Sequence, residues 1–259
     1  MCADGGAPLA GPAIAVAGLV KTFERVEAVR GISFEIARGS ITGLLGGNGA
    51  GKTTTIAMIL GLIVPDAGSV EVLGCDMLRE RYRVLHRVNF ESPYFDMPMR
   101  LSVRENLTVY AMLYGVRDIP ARIAHLAGDL DLTGLLDRRV GQLSAGQKTR
   151  VGLAKAMINE PEVLFLDEPT ASLDPDTADW VRGRLELLRD VNGATIMLAS
   201  HNMAEVERLC DRVLLMRDGR IVDDGAPRTL IARYGRATME EVFLDVARGR
   251  DAAPARAGT

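Results

Sequence analysis

Cysteine is scarce in this 259-residue sequence: Cys2, Cys75 and Cys210 are widely spaced, and none falls in a CxxC pair or a Cys/His cluster. That argues against a zinc-held or disulfide-framework protein and predicts reduced thiols. Long hydrophobic runs are missing too. The longest, Leu9 to Val20, is broken by Pro12 and by glycines, whereas a bilayer-crossing helix needs about 20 apolar residues in succession. Charge of one sign is not in excess: 31 Lys plus Arg against 34 Asp plus Glu gives a net −3, which disfavours a nucleic-acid binder held by bulk charge. The first ten residues hold Asp4 and no Lys or Arg, so the positive lead of an export signal is absent from them. Internal repeats and heptads are not visible either, which removes tandem and coiled-coil architectures. What is present in quantity is apolar side chain, 47% of the chain, ample for a buried core.

That apolar content is arranged as strands alternating with helices. Short β-type runs stand at Ile14 to Leu19, Ser40 to Leu45, Val70 to Leu73, Val163 to Leu166, Thr195 to Ala199 and Val213 to Met216, with helical spacing between them. Such alternation predicts an α/β core with a mostly parallel sheet. From Ser102 to Met157 the pattern is helical throughout, with loop signals at Gly115, Gly128, Gly134 and Gly141, which predicts a helical subdomain inserted in that core. The Ala/Gly/Pro-rich residues 1–12 read as a flexible leader and 251–259 as a frayed tail.

The strongest local signal is Gly46-Gly47-Asn48-Gly49-Ala50-Gly51-Lys52-Thr53, followed by Thr54. It fits GxxxxGK[ST] between an apolar strand, Ile41 to Leu45, and a helix-forming stretch, Thr54 to Leu60. In that setting glycines let backbone N–H groups converge on phosphate oxygens at a helix N-terminus. Lys52 then reaches the β- and γ-phosphates of a nucleotide, and Thr53 offers a hydroxyl to Mg²⁺, a hard cation that prefers oxygen ligands.

Two further strand ends carry candidate chemistry. Val163 to Leu166 ends in Asp167-Glu168-Pro169. Asp167 is suited to hold Mg²⁺ and Glu168 to orient the attacking water at the γ-phosphate, although the pair alone reads equally well as an acidic turn. His201 follows the strand Thr195 to Leu198 and is placed to contact a γ-phosphate; alone, it reads more readily as an ordinary surface or loop histidine. His86 and His125 lack such a setting.

Leu143-Ser144-Ala145-Gly146-Gln147, at the start of a helical stretch running to about Ile158, resembles the signature of the ATP-binding-cassette family. Ala145 stands where that family usually has a glycine. The phosphate loop, this signature, Asp167-Glu168, the D-loop Ala171-Ser172-Leu173-Asp174 and His201 follow in the family's order, and the resemblance covers about Ile14 to Ala237. It implies a P-loop NTPase fold with a small antiparallel β region in its N-terminal part, a nucleotide-binding domain over residues 13–236 with the helical subdomain at about 93–157, and a C-terminal helix and tail over 237–259. It implies ATP and Mg²⁺ as ligands, Phe23 as the aromatic stacking on adenine, and a second ATPase subunit, with two copies pairing, whose ATP is met by Ser144 and Gly146. A transmembrane permease as a separate partner, a place on the cytoplasmic face of the membrane and no nucleic-acid partner are also implied.

One departure concerns the loop leading into the helical subdomain, where the family usually places a glutamine near Mg²⁺. Here the segment reads Arg87-Val88-Asn89-Phe90-Glu91-Ser92-Pro93-Tyr94, and Glu91 or Ser92 is the candidate substitute. The apolar stretch Pro93 to Met99 is a candidate docking groove for a membrane helix. Thr238 to Val246 carries a helical apolar stripe at 239, 242, 243 and 246 with a Thr238/Glu241 capping box. This ending resembles exporter-type cassettes. The rival class, soluble relatives acting on DNA or ribosomes, is expected to carry long coiled coils or two tandem cassettes.

Overall fold

The structure, a computed structural model, describes residues 11–92, 97–171 and 173–250. Pro93 to Asp96, most of the expected leader, the tail from 251 and the D-loop Ser172 lie outside the described residues. In chain order the elements are β1 (Ile14–Phe23), β2 (Val26–Ile36), β3 (Ile41–Gly46), α1 (Lys52–Ile59), β4 (Ala67–Val72), β5 (Cys75–Asp76), β6 (Val88–Glu91), α2 (Val103–Leu113) and α3 (Ile119–Asp129). Then come α4 (Ala145–Ala156), β7 (Val163–Asp167), α5 (Pro175–Asn192), β8 (Thr195–Ala199), α6 (Met203–Leu209), β9 (Arg212–Arg217), β10 (Arg220–Gly225), α7 (Pro227–Tyr234) and α8 (Met239–Ala247).

The chain divides into two compact units, 1–83 with 197–259, and 84–196. In the first, β2, β1, β4 and β5 form an antiparallel sheet in that order. β3 pairs in parallel with β9, Gly46 opposite Met216, and β10 folds back antiparallel on β9. Every residue of β3 is buried, as a strand covered on both faces requires, which explains its unbroken apolar reading. The β9–β10 turn uses Asp218 and Gly219, both at positive φ, the combination a tight hairpin asks for. Gly219 N–H donates to the Ala50 carbonyl at 3.1 Å, so the hairpin turn is tied to the glycine-rich loop.

In the second unit β6 pairs in parallel with β7, and four helices surround the pair in sequence. Their starts are set by side chains. Ser102 and Glu105 make a capping box at α2, Ser144 and Gln147 another at α4, and Asp118 and Asp174 cap α3 and α5. Each such cap satisfies N–H groups the helix cannot. α5 ends at Gly193 in the left-handed conformation, where a residue with a Cβ would be strained.

Two expectations need correcting. At α8 the Thr238 hydroxyl accepts from Glu241 N–H, but the Glu241 carboxylate reaches back to Ala237 N–H, so the cap is one-sided and not a full box. Cys210 is a free buried thiol, whereas Cys75 is disulfide-bonded and not reduced. No helix among the described residues is long and apolar enough to cross a membrane.

Candidate functional site

The first unit carries the phosphate loop. It leaves β3 at Gly46 and enters α1 through Gly51, the N-cap, at φ 103° with no side chain capping the helix. The first-turn N–H groups of Thr53 and Thr54 are thus left for an external acceptor, and the helix dipole makes an anion the favoured one. Lys52 folds over the loop, its Nζ donating to the Gly46 carbonyl at 2.6 Å and the Gly47 carbonyl at 3.3 Å. Ala50 N–H closes the turn onto Gly47 at 3.1 Å. Asn48, Gly49 and Thr53 are exposed.

Two glycines here are required by close approach. A Cβ on Gly46 would lie 2.4 Å from the Met216 carbonyl oxygen, and one on Gly51 would lie 2.5 Å from that of Ala28. Both obstacles are backbone, which cannot rotate away. Gly51→Ala adds left-handed strain of about 1–2 kcal/mol to that clash, so ATP affinity is expected to weaken about tenfold or more. Nucleotide titration checks this, and an unchanged Kd would contradict it.

Beside the loop lies a feature invisible in the sequence, a cavity of about 150 Å³ between Gly47, Asn48 and Ala50 and the α8 residues Phe243 and Val246. Arg217 bonds the Val246 carbonyl at 3.0 Å, which fixes α8 there. Phe23, at the end of β1, is 43% exposed with Lys21 Nζ 5.4 Å from its ring centre, a surface setting open to stacking. His201 is exposed just after β8. Its turn is stiffened by Ser200, whose hydroxyl donates to Glu205 at 2.6 Å and accepts from Asn202 N–H at 3.1 Å.

The second unit carries the acidic strand end, the signature and Asp174. Asp167 is the last residue of β7 and Glu168 follows at φ +52°. A non-glycine residue at such a φ is strained, and strain of this kind concentrates at functional sites. Ala171 N–H closes the turn on the Glu168 carbonyl at 3.0 Å. Asp174 accepts from Thr177 N–H at 3.0 Å and from its hydroxyl at 2.8 Å. Those bonds hold its carboxyl below the usual aspartate range.

Leu143 is buried and anchors the signature, while Ser144 and Ala145 are exposed at the tip of α4. The Ser144 hydroxyl accepts from Gln147 N–H at 3.3 Å, and the Gln147 side chain accepts from Ser144 N–H at 3.1 Å. Gly146 lies against Thr177, whose methyl and hydroxyl would be 3.3 Å from a Cβ there, so the signature packs on the first turn of α5. Glu91 ends β6 with its carboxylate 2.5 Å from Lys155 Nζ, and Ser92 is buried.

Residues 29–171 match the family model described as "ABC transporter". The chain is 42% identical over 234 residues, 89% of its length and 76% of the relative's, to a Nod factor export ATP-binding protein I of Rhizobium sp. (strain N33). It is 41% identical over 236 residues, 89% of its length and 77% of the relative's, to the protein so named in Burkholderia pseudomallei (strain K96243). Among solved structures it superposes with TM-score 0.82 and 26% identity on an ATP-binding subunit of an ABC transporter, covering 90% of this chain and 98% of that one. A second, cbiO1 from Clostridium perfringens, part of the ABC transporter complex cbiONQ, gives 0.78 and 28% over 93% and 98%. The chain belongs to the ABC transporter family, as an ATPase subunit.

Proposed function

We propose that this chain powers an exporter whose membrane-spanning part is a separate permease, and that it does so as an ATP-closed dimer with a second ATPase subunit, most simply another copy of itself. The observation that carries the dimer is the exposed tip of α4. Ser144 and Ala145 present a helix N-terminus to solvent, an anion site by its dipole and N–H groups, in a unit that contains no phosphate loop of its own. A γ-phosphate held by the loop of a second subunit suits it. Export is favoured by relatives that carry export in their names.

In this reading residues 13–236 are the nucleotide-binding domain, with the helical subdomain at about 93–157 and the C-terminal helix and tail beyond. Gly46 to Thr54 receive the triphosphate, with Lys52 neutralising charge on it and Phe23 stacking on adenine. Thr53 and Asp167 are the Mg²⁺ ligands, both offering the oxygen donors this ion prefers; Mg²⁺, when bound, offsets charge on the phosphate oxygens. Glu168 orients and deprotonates the attacking water, and His201 contacts the γ-phosphate. Binding closes the dimer, and loss of the bridging γ-phosphate reopens it. The cytoplasmic face of the membrane is the site of action.

Affinity capture of the tagged chain from solubilised membranes of its own host tests the transport reading. A polytopic membrane protein is expected to copurify. Ribosomal proteins or DNA recovered in its place would overturn the proposal.

A further inference from the structure

We propose that Glu91 and Lys155 are positioning residues for ATP hydrolysis: their ion pair fixes the register of the signature helix α4 against the strand end that leads into Asp167 and Glu168. The inference rests on the ATPase reading of the site and assigns Glu91 a task other than touching Mg²⁺.

Within the second unit, the geometry places Glu91 between β7 and α4. It is the last residue of β6 and pairs across to Leu166 of β7, the residue before Asp167. Its carboxylate Oε2 lies 2.5 Å from Lys155 Nζ on α4. A Cβ on Gly152 of α4 would stand 2.6 Å from Glu91 Oε1, so the helix backbone comes against the carboxylate where no side chain intervenes. Asn89, two residues earlier on β6, donates to the Lys155 carbonyl at 3.2 Å. The Lys155 ammonium also sits 5.5 Å from the Tyr110 ring centre, which adds a cation–π contact.

Both side chains are largely buried, 16% and 10% exposed. Burial raises the Glu91 carboxyl above the ordinary glutamate range, and the Lys155 charge draws it part of the way back. Burying such a pair costs desolvation that its attraction repays poorly, so stability is a weak reason for it, and the best-attested use of a buried polar pair is to fix register. Lys155 is near the far end of α4 from Ser144. Eleven residues of helix make a lever of about 16 Å, so a small tilt at the pair is carried to the signature tip.

The test uses Glu91→Leu, Lys155→Met and the double variant in a mutant cycle. Three quantities are read on the purified chain: kcat for ATP, ATP affinity by titration, and emission of Trp180, the single tryptophan. Trp180 on α5 stacks 4.5 Å from Arg150 of α4, so its emission reports the placement of α4 without any turnover. Each single variant is expected to lower kcat by about ten- to a hundredfold, the scale of an ångström-level misplacement. ATP affinity should hold, and Trp180 emission should shift. The double variant, two apolar side chains of similar volume, should recover most of kcat and the native emission.

Unchanged kcat in the single variants, or a double no better than the singles, overturns the proposal. So does a fall of kcat and ATP affinity together in step with lost thermal stability, which marks a merely structural pair. If the wild-type chain neither binds nor hydrolyses ATP, the ATPase reading fails first. Trp180 emission still decides the register claim in that case, since emission unaltered in both single variants refutes it.

Discussion

Replacing Glu168 by glutamine is expected to lower ATP turnover by about 10²–10⁴-fold, the range a positioned general base contributes. Glutamine keeps the length and shape of the side chain and removes the charge that accepts a proton from water. The residue sits at φ +52° immediately after the last residue of β7, so its backbone is held in a conformation that a free turn would avoid. The Ala171 N–H bond to its carbonyl survives the change, which is why ATP binding should be retained while hydrolysis is lost. Steady-state phosphate release beside nucleotide titration checks both halves. Wild-type turnover in this variant would move the water-positioning role elsewhere.

Lys52→Ala should act on binding itself. The ammonium donates to the Gly46 and Gly47 carbonyls, so it holds the loop together and brings a positive charge to it. A hydrogen bond to a charged group contributes about 1.5–3 kcal/mol, which corresponds to ATP binding weaker by roughly ten- to a hundredfold. Losing the clasp on the two glycines adds to that by loosening the loop. Titration with Mg-ATP measures it, and an affinity equal to wild type would contradict the placement of the triphosphate on this loop.

The parts of this molecule that were legible in sequence are those whose chemistry needs neighbours close along the chain. The glycine spacing before Lys52, the apolar run ending at Asp167, and Ser144 with Gln147 three residues on all encode local geometry, and the structure has a loop, a strand end and a capping box at those places. β2 is not legible in sequence because its alternation holds only over its second half, while its pairing with β1 slips register three times. β6 is hidden in sequence because Val88-Asn89-Phe90-Glu91 mixes polar residues into a covered strand. The partners that satisfy them, Lys155 and Asn159, come more than sixty residues later. Distance along the chain also hid the packing of α8 beside the phosphate loop and of Thr177 against Gly146. The φ of Glu168 has no signature in composition at all.

The most direct test of the account is the mass of the Glu168→Gln chain in sedimentation velocity with and without Mg-ATP. A shift from one copy to two is expected on adding nucleotide, because triphosphate on the loop of one copy is met by the α4 tip of the other. Ser144→Arg, which fills that tip, is expected to abolish the shift. A mass that does not respond to nucleotide, or a dimer that forms equally well with Ser144→Arg, would contradict it.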